Sequence, residues 1–200
     1  MKRLLAAVLL ALLTVVPATA FERWPLAMVN RSVAMLAWQN EDGNCTAFSI
    51  NQKKGRYLTA GHCVGDQGTV VLINDTEAEL LYADYVNDIA VYDVADGKGQ
   101  PALKLGLAPV IGDEIMYVGH GYGAPVPVAE VGIFLIPSQL PPFEALSPKQ
   151  FASTDAIPGM SGGPIVNRKG EVVGMVTCSY RQLGCGVEYV TVARVYNLYK

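Results

Sequence analysis

A series of short apolar runs separated by turn-forming residues constrains this chain more than any other feature. The runs are Val33–Trp38, Val70–Ile73, Ile89–Val94, Ile115–Val118, Val131–Ile136, Val172–Val176 and Val187–Val192. β-Branched and aromatic residues are frequent in them, and Gly, Pro, Asn or Asp bound most of them. Such side chains fit a pleated, half-buried surface, and many short strands at this spacing imply a barrel or a sandwich. The pattern therefore predicts an all-β fold. Helical candidates are weak: Thr76–Tyr82 and Arg194–Lys200. A turn-rich stretch from Asp96 to Pro109 divides the runs into two groups and reads as a connector. Pro137–Pro148 carries four prolines and reads as a long surface loop.

The first twenty residues, MKRLLAAVLLALLTVVPATA, place Lys2 and Arg3 before an apolar run and end on Ala18-Thr19-Ala20. That order describes a secretory leader cut before Phe21. The run falls short of the ~20 apolar residues that a bilayer span needs, so the mature chain is expected to be free of the membrane. Two of the 15 basic residues leave with the leader, and the remaining 13 face 18 acidic ones. This balance argues against nucleic acid or anionic lipid as a partner, because both need a basic face. All four cysteines, Cys45, Cys63, Cys178 and Cys185, lie in the mature chain. An even count in an exported protein favours two disulfides, whereas a zinc site lacks its usual C-x-x-C and histidine spacing. No metal or cofactor is expected.

Three segments carry candidate chemistry. Leu58-Thr-Ala-Gly-His62-Cys63 ends a strand with one of only two histidines in the chain. Asn87-Asp88-Ile89 places an aspartate at the entrance to an apolar strand, where it could accept a hydrogen bond from an imidazole and fix its tautomer. Asp84 and Asp93 compete for that role from poorer contexts. Pro158-Gly-Met-Ser161-Gly-Gly-Pro164 surrounds a serine with small or rigid residues. Gly159 and Gly163 also satisfy the G-x-S-x-G elbow of α/β-hydrolases. That fold needs a histidine after the serine, and no histidine follows Ser161.

Taken together, Thr59-Ala-Gly-His62-Cys63, Asp88-Ile-Ala-Val91 and Gly159-Met-Ser161-Gly-Gly-Pro164 resemble the three signature motifs of trypsin/chymotrypsin-like serine proteases, in that family's chain order. The resemblance extends over most of residues 33–197. It implies two antiparallel six-stranded β-barrels with the active site in the cleft between them. It also implies His62 as general base, Asp88 as its orienting acid and Ser161 as nucleophile, with the amides of Gly159 and Ser161 forming an oxyanion hole. The expected division is a leader over 1–20, a barrel over 21–106 carrying His62 and Asp88, and a barrel over 107–200 carrying Ser161 and the specificity pocket. Cys45 with Cys63 resembles the family's histidine-loop disulfide. Cys178 with Cys185 would clip a local hairpin at the pocket rim, a bridge without a strict family counterpart. Gly174–Thr177 resembles the strand along which the family lays its substrate, and Gly186–Tyr189 the strand closing the pocket. Thr177 and Gly186 are the expected substrate contacts there.

Two departures stand out. Met160 occupies the place where digestive members carry an aspartate that pairs with a newly cut amino terminus. Methionine forms no ion pair, so the loop is expected to be ordered by packing, without a zymogen switch. Asp155, six residues before Ser161, matches the pocket-base position that binds Arg or Lys in trypsin-like members. Thr154-Asp155-Ala156 equally resembles a loop segment of high-temperature-requirement proteases that does not set specificity. His120, in Gly119-His-Gly-Tyr-Gly123, reads as structural or surface. The chain's end at Lys200 leaves room for only a short C-terminal helix. The expected protein is a monomeric, secreted serine endopeptidase, extracellular or periplasmic, acting on polypeptide through an acyl-enzyme. A protease-fold binding protein without turnover and an esterase with little peptidase activity are its rivals.

Overall fold

The computed structural model describes residues 24–39, 42–66, 69–138, 149–180 and 183–200. The leader, its cleavage point before Phe21 and most of the Pro137–Pro148 loop lie outside them. After a one-turn helix α1 (Leu26–Asn30), six strands follow: β1 (Val33–Trp38), β2 (Cys45–Asn51), β3 (Arg56–Thr59), β4 (Val71–Ile73), β5 (Thr76–Asp84) and β6 (Ile89–Val94). They close into an antiparallel barrel in the order β1-β2-β3-β6-β5-β4. Six more, β7 (Glu114–Gly119), β8 (Val128–Ser138), β9 (Lys149–Ala152), β10 (Pro164–Val166), β11 (Val172–Tyr180) and β12 (Leu183–Val187), close a second barrel in the order β10-β11-β12-β9-β8-β7. A helix, α2 (Tyr189–Tyr199), ends the chain. The fold is all-β, two six-stranded barrels, as the sequence predicts.

Two local expectations fail for physical reasons. Thr76–Tyr82, the helical candidate, lies within β5, which pairs with both β4 and β6. Asn74 and Asp75 adopt positive φ, 47° and 61°, forming a two-residue hairpin turn that sets Ile73 opposite Thr76. The turn dictates a strand, whatever the helix propensity of Glu77 and Glu79. At the other end, Val187–Val192 does not continue as a strand. β12 stops at Val187, extended Glu188 caps the helix, and α2 buries Val192, Val195 and Tyr196 on one face. Helical spacing overrides the alternation of β-branched residues there. The helix is therefore longer than the Arg194–Lys200 expected.

That helix crosses back from the second barrel to the first. Tyr196 donates its hydroxyl to the Leu103 carbonyl at 2.7 Å, and Arg56, paired bidentately with Asp93, donates to the Tyr199 carbonyl at 2.8 Å. Tyr189 bonds the Gly106 carbonyl in the connector. The connector itself is irregular and is stitched to both barrels, by Leu103 N to Ser49 O and Gly106 N to Val172 O. Each barrel has an apolar interior. Leu36, Phe48, Leu58, Ile73 and Ile89 fill the first, while Ile115, Tyr117, Phe134, Ile165 and Val176 fill the second. At about 1.5–3 kcal/mol for each fully buried large apolar side chain, these interiors dominate the favourable side of folding.

β2 is buried along almost its whole length, because one face lines the first barrel and the other meets the second. Its buried polar residues have partners, as buried polar groups must. Ser49 donates to the Gln100 carbonyl at 2.8 Å, and Thr46 bonds into the second barrel.

Candidate active site

His62 sits on a one-turn 3₁₀ segment, Gly61–Cys63, directly after β3. The turn is pinned covalently by the Cys45–Cys63 disulfide, whose Cα atoms are 6.1 Å apart. Trp38 adds a hydrogen bond from its indole to the Cys63 carbonyl at 3.2 Å. Gly61 lets this turn approach the next: a Cβ there would lie only 3.0 Å from the Ile89 nitrogen and 3.1 Å from Asp88 Cα. The pairing of Cys45 with Cys63 also removes the thiolates that a zinc site beside His62 would need.

Asp88 ends the turn between β5 and β6 with φ of 57°, a left-handed conformation that aspartate tolerates better than most residues. One of its oxygens, Oδ1, accepts from both the His62 backbone amide and the ring Nδ1, each at 2.9 Å. Two bonds to one oxygen fix the imidazole's position and its tautomer, with Nδ1 protonated and Nε2 left basic. The carboxylate is largely shielded at 18% side-chain exposure, whereas the imidazole is 47% exposed and open to an incoming group.

Asp84, the sequence competitor, does different work. Its carboxylate accepts from the Asn87 amide at 2.9 Å and the Asn87 side chain at 2.6 Å, closing the turn that presents Asp88. These bonds, the Asn87 side chain foremost, hold its pKa below the usual aspartate value. Asp93, the other competitor, is engaged by Arg56 on the far side of the barrel.

Ser161 belongs to the segment between β9 and β10. Its carbonyl accepts from Thr46 N at 2.7 Å and lies 3.8 Å from Cys63 Sγ, so the serine loop touches the residue next to His62. Before it, Gly159 has φ of 94°, and a Cβ would meet the His120 carbonyl at 2.5 Å. Only glycine fits there. Tyr122, itself at φ 53°, donates its amide to the Pro158 carbonyl at 2.6 Å. Carbonyl and N–H point oppositely across a trans peptide, so this bond also aims the Gly159 amide. Among the described residues no acceptor engages the amides of Gly159 or Ser161. Met160 is fully buried in the interior of the second barrel, packed with Ile115, Phe134, Ile165 and Val176. Packing of Met160 and backbone hydrogen bonds hold this loop, and among the described residues no ion pair engages it.

Beside the serine opens a cleft of about 400 Å³ lined by Asp155, Ile157, Pro158, Ser161, Cys178 and Ser179. Asp155 is exposed in it and accepts from the Ala156 amide and the Ser179 hydroxyl. The Cys178–Cys185 disulfide joins β11 to β12 at its edge. Thr177 and Gly186 lie on the same two strands but are buried and do not line this cleft. His120 is 5% exposed; burial lowers its pKa, opposed by the bond from Nδ1 to the Ala124 carbonyl. It is structural. The sequence reading missed Asn44 and Thr46, which bond to His120 and Gly159 from the first barrel. Their one local signal, Asn44-Cys-Thr46, reads as a glycosylation sequon and nothing more.

Two six-stranded antiparallel barrels with a His–Asp pair on one and a glycine-framed serine on the other are the architecture of chymotrypsin-like serine proteases. A sequence profile of the family described as trypsin-like peptidase domain matches residues 45–175, and the chain belongs to that family. Among curated relatives, the "Probable periplasmic serine endoprotease DegP-like" of Ectopseudomonas mendocina is 34% identical over 145 residues, covering 68% of this chain and 30% of its own length. The "Pro-apoptotic serine protease NMA111" of Meyerozyma guilliermondii is 30% identical, covering 65% of this chain and 15% of its own. The chain thus spans less than a third of the length of these relatives. Among solved structures, the active form of the Rv3671c protease from M. tuberculosis superposes with a TM-score of 0.73 at 21% identity, covering 89% of this chain and 85% of that one. The serine endoprotease from Yersinia pestis gives 0.70 at 22% identity, covering 86% and 64%. These likenesses establish the fold. No helix among the described residues is long and apolar enough to cross a membrane.

Proposed function

We propose that the protein is an exported serine endopeptidase that hydrolyses peptide bonds through an acyl-enzyme. The observation that carries this reading is the double engagement of Asp88 Oδ1 by the amide and ring of His62. It leaves Nε2 as a base held in one orientation on the side of the chain that touches the serine loop. In this mechanism Ser161 Oγ attacks the scissile carbonyl and His62 Nε2 takes its proton. The developing oxyanion is met by the amides of Gly159 and Ser161, which have no other acceptor among the described residues. The tetrahedral intermediate collapses as His62 returns the proton to the leaving amine, and water then frees the acyl group by the same steps in reverse. Asp88 stays ionised and supports the imidazolium. The division at residues 106 and 107 gives one barrel the base and the other the nucleophile. The leader-like first twenty residues and the two disulfides support export to an oxidising compartment.

Asp155 gives the cleft beside Ser161 a carboxylate, which favours Arg or Lys at the residue before the scissile bond. Profiling the cleavage of a peptide library by residues 21–200, with Ser161→Ala as control, tests both parts. Cleavage after basic residues that is absent in the control supports them. Cleavage after leucine or glutamate removes Asp155 from specificity and keeps the triad. Equal cleavage by the control removes the triad.

A further inference from the structure

The hydroxyl of Thr46 has no part in the mechanism above, yet it lies at the junction of the two barrels and is fully buried. Oγ1 donates to the Gly159 carbonyl at 2.7 Å and accepts from the His120 amide at 2.8 Å. The backbone amide of the same residue donates to the Ser161 carbonyl at 2.7 Å. Its own carbonyl is held in turn by the Thr59 hydroxyl at 2.7 Å, inside the first barrel. One residue of β2 therefore grips the carbonyls of both residues whose amides form the proposed oxyanion hole.

The orientation of those amides depends on four consecutive peptide planes. The Pro158 carbonyl is fixed by Tyr122 N and the Met160 carbonyl by Gly163 N, both within the second barrel. The Gly159 and Ser161 carbonyls are fixed by Thr46, from the first. φ and ψ at Gly159 are rotations between two rigid planes, so pinning the plane on each side holds that residue at its φ of 94°. Glycine has other conformations available at little cost, and loss of one tie would release it to them. Asn44 reinforces the arrangement by donating from Nδ2 to the His120 carbonyl at 2.8 Å and reaching the Gly159 carbonyl at 3.5 Å.

We propose that Thr46 is a positioning residue for catalysis: its hydroxyl locks the oxyanion turn across the barrel interface, where Met160 provides no charged anchor. The proposal rests on the serine-protease reading given above. Donor and acceptor are both used, so the hydroxyl rotor has a single satisfying orientation. Valine at this position would keep the shape and lose both bonds. Serine would keep both bonds and lose a methyl group.

The test compares wild type, Thr46→Ser and Thr46→Val on a peptide amide substrate, with a peptide boronate as mimic of the tetrahedral state and thermal melting as a stability control. Thr46→Val is expected to lower kcat by about 10-fold to 100-fold, the scale of a misplaced oxyanion donor, with KM within about twofold. Boronate affinity is expected to fall in parallel, and Thr46→Ser to stay close to wild type. Equal kcat in Thr46→Val and wild type overturns the proposal. So does a loss shared equally by the serine variant, or one confined to KM. If Thr46→Val does not fold, Asn44→Ala takes its place, with kcat reduced severalfold at unchanged KM; unchanged kcat again overturns the lock. A wild type that folds but neither cleaves peptides nor reacts at Ser161 overturns the serine-protease reading, and the lock with it.

Discussion

The two barrels contribute to the site in opposite ways. The first presents side chains: His62 and Asp88, held by a disulfide, by Trp38 and by the Asp84–Asn87 turn, all within that barrel. The second presents mainly backbone: a glycine turn whose carbonyls are held partly by Thr46, a residue of its neighbour, and whose centre is an apolar plug, Met160. One half is ordered locally. The other takes two of its carbonyl partners from across the barrel interface. Side chains that act on a proton can be set by short-range bonds, whereas an oxyanion hole needs several peptide planes oriented at once. The opposite barrel supplies what a glycine-rich loop cannot supply to itself.

This contrast can be broken from either side. The largest effect belongs to the first barrel. Asp88→Asn preserves the shape but disturbs the His62 tautomer, and kcat is expected to fall by about 10⁴-fold with little change in melting temperature. A small loss of activity would mean that the pair is not the proton machinery. Next comes the second barrel. Met160→Asp would bury a carboxylate among Ile115, Phe134 and Val176, and urea unfolding should show a loss of about 3–5 kcal/mol. Stability near wild type would mean that position 160 is not enclosed by the apolar interior as described.

Removing the Cys45–Cys63 disulfide with paired Cys→Ala changes should cost about 3 kcal/mol for its loop length. Because Cys45 precedes Thr46 and Cys63 lies against the Ser161 carbonyl, amide exchange is expected to rise at residues 159–162 as well as around His62. A rise confined to His62 would separate the halves more sharply than proposed here. The smallest effect is Asp84→Ala, about 1–2 kcal/mol near neutral pH. The depressed pKa of Asp84 means that, as pH falls, the unfolded chain takes up a proton before the folded one. Its contribution is complete above the ordinary aspartate value and disappears as pH drops through the lowered one. Denaturation midpoints of wild type and variant should therefore differ at pH 7 and draw together as pH falls below the ordinary aspartate value; a constant gap would contradict the role.

What the sequence revealed follows the same division. The proposed trio of His62, Asp88 and Ser161 stood out in the sequence because the chemistry read for it demands particular residue types in local settings of strand end and tight turn, and the structure joins two of the three, His62 and Asp88, by hydrogen bonds. β1 and β6 were legible end to end, since each lines a core with β-branched and aromatic residues. β5 was not, because much of it is exposed and its glutamates favour a helix, although Asn74-Asp75 carried the hairpin signal. The start of α2 was obscured by β-branched residues that satisfy both periods. Thr46 was out of reach for another reason. Its partners Gly159 and His120 lie far away in the chain, and nothing local distinguishes a threonine that will cross a domain seam from one that lines a barrel.

The central claim is that Ser161 is made nucleophilic by His62 in the folded protein. The direct measurement is to treat the native protein with a fluorophosphonate and map the adduct by peptide mass spectrometry, beside His62→Ala. The account predicts one stoichiometric adduct on Ser161, with labelling slowed by orders of magnitude in the variant. A folded wild type that carries no adduct, or an adduct elsewhere, or equal labelling of Ser161 with and without the imidazole, would contradict it.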